Sequence, residues 1–443
     1  MYRLAIEELY EWKKSANRKP LIIEGARQVG KTWLMKEFGK QAYEKTVYIN
    51  FDSNSRMAEL FSSDLEIGRI IMGLELYSDV KITPENTLII FDEVQEVPRA
   101  LASLKYFYEN APEYNIICAG SLLGIALHQG TSFPVGKVDF LNLYPLSFKE
   151  FLMAMGKEKY VDLMNSGDYE MMTAFKQDLI DSLKHYYFVG GMPEAAQSWL
   201  DTHEIVNASS VHRRIVNTYI DDFAKYSLGA DLALMQSVFR AIPAHVGEKV
   251  KYVNYSRDVK AAKVASIIDL FIKARIVCPV VHSDANGIPL GAEERMSSRK
   301  LLFLDVGLMN YANGLTWSQL SGMNDVSLVN EGKMAEQFVG QHLFFRQGDF
   351  EEPRLNYWLR EGAKGNAEVD YIVEDGASVL PIEVKAGASG SLKALRQMLL
   401  DKNLERAIRF DASPFSRQTV SLGGSMTYEL TTLPLYAIAK AFQ

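Results

Sequence analysis

Gly25-Ala26-Arg27-Gln28-Val29-Gly30-Lys31-Thr32 is a complete G-x-x-x-x-G-K-[ST] phosphate-binding loop, and its reading decides the fold of the N-terminal part of the chain. An apolar run, Leu21-Ile22-Ile23, enters it, and a helical stretch, Trp33-Leu34-Met35-Lys36-Glu37-Phe38, leaves it. The motif needs this strand–loop–helix setting. Its glycines let the backbone curl so that N–H groups point inward at a phosphate. The helix that follows adds the positive end of its dipole. All eight loop residues are expected to line a nucleotide, with Lys31 reaching the β- and γ-phosphates of ATP and the Thr32 hydroxyl holding Mg²⁺.

Outward from the loop, the chain alternates β-rich and helical stretches. A helix up to about Arg18 precedes it, with Leu9 and Trp12 on its apolar side. Thr46–Phe51 reads as a strand, and Thr87-Leu88-Ile89-Ile90-Phe91 as a central parallel one, because it is apolar throughout. That second run ends in Asp92 and Glu93. Asp92 stands where an aspartate supports Mg²⁺ through water, and Glu93 where a base polarises the attacking water. After a helix over Pro98–Asn110, the strand Tyr114–Gly120 ends at Ser121. A hydroxyl there lies near the γ-phosphate and can sense it. It can equally cap the helix read over Leu122–Leu127. A fifth strand is read at Val138–Leu143. Four βα units with polar groups at strand ends predict an α/β, doubly wound parallel sheet of the P-loop NTPase class.

The 443 residues allow two or three domains, with 48% hydrophobic and 23% charged residues. A net charge of −7 gives no general footprint for nucleic acid but leaves room for a local basic patch. Cys118 and Cys278 stand alone in apolar runs, without metal-ligand spacing, and read as buried thiols of a reducing compartment. Acids at Glu7 and Glu8 argue against a signal peptide, and no apolar run reaches the length of a membrane span. A cytoplasmic protein without a membrane partner is the expectation.

The Gly25–Thr32 loop, the Phe91-Asp92-Glu93-Val94-Gln95 box and the Ala119-Gly120-Ser121 strand end resemble the AAA+ superfamily. Leu143-Tyr144-Pro145-Leu146-Ser147-Phe148-Lys149-Glu150-Phe151 resembles its archaeal-type, prokaryotic ATPase branch. So do Val189-Gly190-Gly191-Met192-Pro193-Glu194 and Tyr219-Ile220-Asp221-Asp222-Phe223-Ala224-Lys225-Tyr226. The resemblance implies ATP hydrolysis and a C-terminal domain of unknown function. Relatives tend to carry Gly-Arg before the fifth strand, where this chain has Gly136-Lys137. Lys137 keeps the charge of an arginine finger but not its planar fork. Arg213 and Arg214 are other basic groups on a helix, read as a solvated face.

Phe148 to about Tyr226 reads as helical, interrupted at Gly190–Pro193, and resembles a lid. Helices between Asp231 and Lys273, followed by the β-rich Ala274–Val281, look like a winged helix. Lys249, Lys251, Arg257, Lys260, Lys263 and Lys273 make this region locally basic, suited either to DNA phosphates or to protein contacts.

The C-terminal third offers a second constellation. A strand is read at Arg299–Asp305, then a helix over Glu331–Phe345 that carries Glu336. The strands Asn356–Arg360, Glu368–Val373 and Val379–Val384 follow, the last running into Lys385, and then a helix over Leu392–Leu404. The set looks like a restriction-endonuclease core, with Asp370 on one strand and Glu383-Val384-Lys385 on the next. Residues i and i+2 of a strand share a face, so Glu383 and Lys385 project together. Asp370 and Glu383, with the Val384 carbonyl, are expected to hold Mg²⁺, Glu336 to complete the acidic cluster, and Lys385 to act on water and the developing phosphorane charge.

The expected division is an AAA+ ATPase core at 1–150, a helical lid at 151–228, a winged-helix-like region at 229–298 and a restriction-endonuclease-like domain at 299–443. Two functions fit. One is a Mg²⁺-dependent ATPase that couples hydrolysis to DNA handling through the nuclease-like domain. The other is an ATP-driven switch whose inactive nuclease-like domain binds a DNA or protein partner. The oligomeric state is not encoded in these motifs.

Overall fold

The computed structural model describes residues 1–120, 134, 136–226, 231–323, 332–346, 353–362, 365–385, 392–423 and 426–440. Contacts divide the chain into two compact units. One is Met1–Pro145 with Lys273–Ile276, and the other contains Leu146–Ile272 and the segments from Val277 onward.

The first unit is built on five strands, β1 (Leu21–Glu24), β2 (Lys45–Asn50), β3 (Thr87–Asp92), β4 (Asn115–Ala119) and β5 (Asp139–Asn142). All pairings are parallel, in the order β2-β3-β4-β1-β5. This is the parallel sheet of a P-loop AAA+ fold, as the apolar runs predict. Every residue of β3 is buried, which explains its unbroken apolar sequence. On one side Phe51, Phe61 and Phe91 meet edge to face, their ring centroids 5.3 to 5.9 Å apart. Because all strands run the same way, Glu24, Asn50 and Asp92 end at one edge, with Asn50 in register with Asp92.

The second unit begins with helices Phe148–Ala154, Glu158–Ser166, Lys176–Val189, Pro193–Thr202 and Ile205–Tyr226. By their contacts these helices, read from the sequence as a lid, fall in the second unit and not in the first. The expected boundary at 150 falls inside the first of these helices, which starts from a capping box. Ser147 Oγ accepts from Glu150 N (3.2 Å) while Glu150 Oε2 accepts from Ser147 N (2.8 Å).

Among the described residues the strands of this unit form one mixed sheet of eight, with further helices between them: β6 (Val277–Ser283), β7 (Glu294–Phe303), β8 (Leu355–Arg360), β9 (Ala367–Asp375), β10 (Ser378–Val384), β11 (Arg406–Asp411), β12 (Ser416–Gly423) and β13 (Met426–Pro434). Their order is β12-β13-β11-β10-β9-β8-β6-β7. Strands β8, β9 and β10 form an antiparallel meander, and β10 pairs in parallel with β11. The β-rich stretch read as closing a winged helix contains β6, which forms a hairpin with β7. It is not separate, because β6 pairs in parallel with β8, Val280 opposite Leu355. The boundary expected at 298 thus cuts through β7.

Two of the motifs that carried the resemblance turn out to be packing devices. Leu146 N donates to Gly191 O (2.7 Å), and Leu146 O accepts from the buried Tyr186 hydroxyl (2.6 Å). The buried Asp305 caps helix Val306–Ala312 through Leu308 N (3.0 Å) and accepts from Gly191 N (2.6 Å). Gly190 has φ +71°, and a Cβ there would lie 2.1 Å from Asp305 Oδ1, so only glycine fits. Burial pushes the Asp305 carboxyl up to about 6, against the N–H groups that favour its charge.

Candidate functional site

The phosphate loop joins β1 to helix Lys31–Ala42, whose N-terminus is Gly30 at φ 96°. Lys31 is buried and its ammonium donates to the Gly25 carbonyl (2.9 Å) and the Ala26 carbonyl (2.8 Å). Burial lowers its pKa to about 8, an effect that Glu93 and Asp92 oppose. Thr32 Oγ1 donates to Asp92 Oδ2 at 2.7 Å, so the two predicted metal-supporting groups lie together. Tyr48, on the neighbouring strand β2, donates to the same oxygen at 2.9 Å. This contact follows from register, since Asn50 opposes Asp92, and was not read from the sequence. Tyr48 is itself capped by the Lys36 ammonium, 3.6 Å from its ring centroid.

Glu93 adopts the left-handed conformation (φ 52°), which costs an ordinary residue about 1–2 kcal/mol. Such strain is found where a side chain must be aimed. The Glu93 carboxylate accepts from Gln95 Nε2 (2.6 Å). Glu24, just before the loop, pairs with Arg275 of the same unit, another partner that the sequence did not signal. Ser121 and the helix read over 122–127 lie outside the described residues. Lys137 pairs with Glu109 (3.0 Å), and Arg214 with Glu194 (2.7 Å) on an exposed helix face. Cys118 is buried and Cys278 half-buried, and neither is in a disulfide.

In the second unit the predicted acids are joined by two residues that were not predicted, Lys300 and Glu368. Glu383 and Lys385 pair directly at the end of β10. Asp370 on β9 accepts from Val384 N at 2.8 Å, which locks the two strand ends together. Lys300 of β7 enters from the far side of the sheet. Its ammonium lies 3.1 Å from Glu336 Oε1, 2.5 Å from Glu368 Oε1 and 3.9 Å from Asp370 Oδ1, and its side chain is 1% exposed. Burial works against its charge, and Glu336, Asp370 and Glu368 outweigh it, so its pKa is raised.

Burial, reinforced by Asp370, pushes Glu336 up to about 7 and Glu383 up to about 8, while Lys300 and Lys385 respectively oppose the shift. The backbone closes on the cluster from a further side. Gly247, at φ +76°, is held by N–H donation to Leu301 O (3.3 Å), and a Cβ there would lie 2.5 Å from Glu336 Oε2.

Among the described residues, no group of three or more His, Cys, Asp or Glu is arranged to hold a metal ion. The expected trio of Glu336, Asp370 and Glu383 is not arranged around one shared position, and Glu336 faces Lys300. Glu383 Oε2, on the side away from Lys300, is buried without a hydrogen-bond partner. No helix among the described residues is long and apolar enough to cross a membrane.

Three stretches match known families: residues 17–152 an AAA domain, 180–319 a domain of unknown function (DUF8612), and 331–435 another domain of unknown function (DUF4143). No curated protein matches the chain. Similar solved structures include an Aeropyrum pernix ORC1 protein in complex with DNA (13% identity, 70% of this chain and 90% of that one, TM-score 0.26). They also include the Thermotoga maritima RuvB Holliday junction branch migration motor (13%, 62% and 86%, 0.26) and Cdc6p from Pyrobaculum aerophilum (9%, 72% and 91%, 0.22).

Proposed function

We propose that the chain is a Mg²⁺-dependent ATPase that couples ATP hydrolysis to DNA handling through a restriction-endonuclease-like C-terminal domain. The observation that carries the ATPase reading is the hydrogen bond from Thr32 to Asp92, which sets a hydroxyl and a carboxylate together beside a buried lysine. In this reading the Lys31 ammonium leaves the Gly25 and Ala26 carbonyls for the β- and γ-phosphates. Thr32 and Asp92 would hold the metal, with Tyr48 keeping Asp92 in place. Glu93 aligns the attacking water and takes its proton, and Ser121 senses the γ-phosphate. Mg²⁺ held there would supply charge to offset that of the phosphates.

For the C-terminal domain, the order helix Gly332–Arg346, β8, β9, β10, helix Lys393–Lys402, β11 supports the nuclease-like reading. Asp370, Glu383 and the Val384 carbonyl hold a divalent cation here, and Lys385 orients water beside it. Exposed Lys251, Arg257 and Lys260 suit a DNA backbone. The test is ATP turnover with and without DNA, with Lys31→Ala as the blank, followed by DNA cleavage with Mg²⁺ or Mn²⁺ against Asp370→Ala. Turnover raised by DNA, and cleavage lost in Asp370→Ala, support the proposal. DNA left intact by both proteins removes the nuclease.

One observation favours a second reading. Lys300 already neutralises much of the acid cluster, as in a nuclease-like domain that binds without cutting. ATP then acts as a conformational switch on a DNA or protein partner. This reading predicts slow turnover indifferent to DNA, and it fails if apo and ATP-bound Glu93→Gln protein give the same scattering profile.

A further inference from the structure

We propose that Lys300 is the resident cation of the acid cluster, and that the cluster so neutralised takes a single divalent cation on its Glu383 side. The second clause rests on the metal site proposed above; the first does not. Lysine is a compact, strongly hydrated charge that is almost never fully buried unless paired. Lys300 is buried completely, passing the Tyr357 ring with its ammonium 5.1 Å from the centroid to reach carboxylates on β9 and on helix Gly332–Arg346. Glu368 and Asp370, two apart on β9, share a face. The point between Glu336, Glu368 and Asp370, where a bridging second metal ion would sit, is therefore filled by the protein's own charge.

Charge balance says what remains. Four carboxylates, Glu336, Glu368, Asp370 and Glu383, face two ammonium groups, Lys300 and Lys385. Arg409, opposite Glu383 across β10 and β11, leaves the balance unchanged because it pairs with Asp411. With all four acids ionised, two negative charges are left, the charge of one divalent cation. They lie on the Glu383 side, since Asp370 is the farthest of the three carboxylates that Lys300 meets and Glu383 Oε2 is buried without a partner. Hard divalent cations take such oxygens together with a backbone carbonyl.

The experiment is Mn²⁺ titration of the nucleotide-free full chain by electron paramagnetic resonance. Every protein carries Asp92→Asn, so that the first unit adds no ion. The result expected is about one tight Mn²⁺ per chain in this background and about two in Lys300→Met. Lys300→Met should also regain in Mn²⁺ the thermal midpoint it loses in EDTA, while Lys300→Arg stays at about one ion. Glu368→Gln supplies an arm that does not depend on Lys300→Met folding: it leaves the bound ion in place, whereas Glu383→Gln removes it. No gain of an ion in Lys300→Met, or loss of the ion in Glu368→Gln, overturns the proposal. Mn²⁺ bound only when Lys300 is replaced would remove the Glu383 metal site and leave Lys300 standing as the resident cation.

Discussion

The two polar sites solve one problem, holding charge in a dry setting, by opposite means. The phosphate loop keeps its lysine on backbone carbonyls, with a hydroxyl from helix Lys31–Ala42, a phenol from β2 and one carboxylate from the end of β3 beside it, all in one parallel-sheet unit. The acid cluster collects groups from helix Gly332–Arg346 and from β7, β9 and β10, and balances them with a buried lysine. Lys31 lies on the loop carbonyls and is free to exchange them for phosphate oxygens. Lys300 is held by three carboxylates at once. The first lysine suits a ligand that comes and goes, and the second a fixed charge.

The sharpest way to break this contrast is Lys300→Met. Leaving buried carboxylates without their cation should cost about 3–5 kcal/mol in urea unfolding with EDTA present. Lys385→Met, at a partly exposed site, should cost well under half of that. Equal losses would make the two lysines equivalent. For the loop, Lys31→Ala should reduce ATP turnover on the order of 10²–10³-fold with little change in unfolding midpoint. A large loss of stability would mean that Lys31 is structural as well.

Asp305 serves as the control, a buried carboxylate held by N–H groups of the backbone. Its folded pKa of about 6 lies above the usual carboxyl value, so the folded state binds more protons between about pH 4 and 6. Stability contributed by this group therefore falls as pH rises through that window. Relative to wild type, Asp305→Asn should gain about 2 kcal/mol between pH 4 and 6.5, read by urea unfolding at each pH. A flat difference would show that the N–H groups fully solvate the charge. The smallest effect belongs to Tyr48→Phe, which removes one hydrogen bond to Asp92, about 1 kcal/mol or roughly fivefold in the Mg²⁺ needed for half-maximal turnover.

The first site was legible because its groups follow one another along the chain. Gly25–Thr32 is contiguous, and Asp92 ends an apolar strand whose burial dictates its sequence. Tyr48 was not, since only the pairing of β2 with β3 brings it to Asp92. In the second site Asp370, Glu383 and Lys385 were legible from strand alternation. The same rule would have added Glu368, two residues before Asp370 on β9. Lys300 carries a weaker signal, lying beside Arg299 and ahead of Leu301-Leu302-Phe303, where β7 passes from exposed to buried. A lysine on an edge strand ordinarily points to water. Only the fold reveals that this one turns inward. Which sheet the helical and β-rich stretches of the middle region join was not legible for a related reason. Local helical and hairpin patterns do not say which sheet a segment will join, and that is settled by pairings such as β6 with β8.

That pairing also sets the order in which the chain can mature. Val280 waits for Leu355, and β10 and β11 lie farther on still. On the ribosome, the hairpin of β6 and β7 emerges with one flank lacking its neighbour, and such a flank is a template for wrong partners until β8 arrives. Strand pairing at this distance along the chain is intrinsically slow. A chain cut at residue 298 would split β7 and strip β8 of its neighbour, so the hairpin that resembles a detachable module is a poor place to divide the gene.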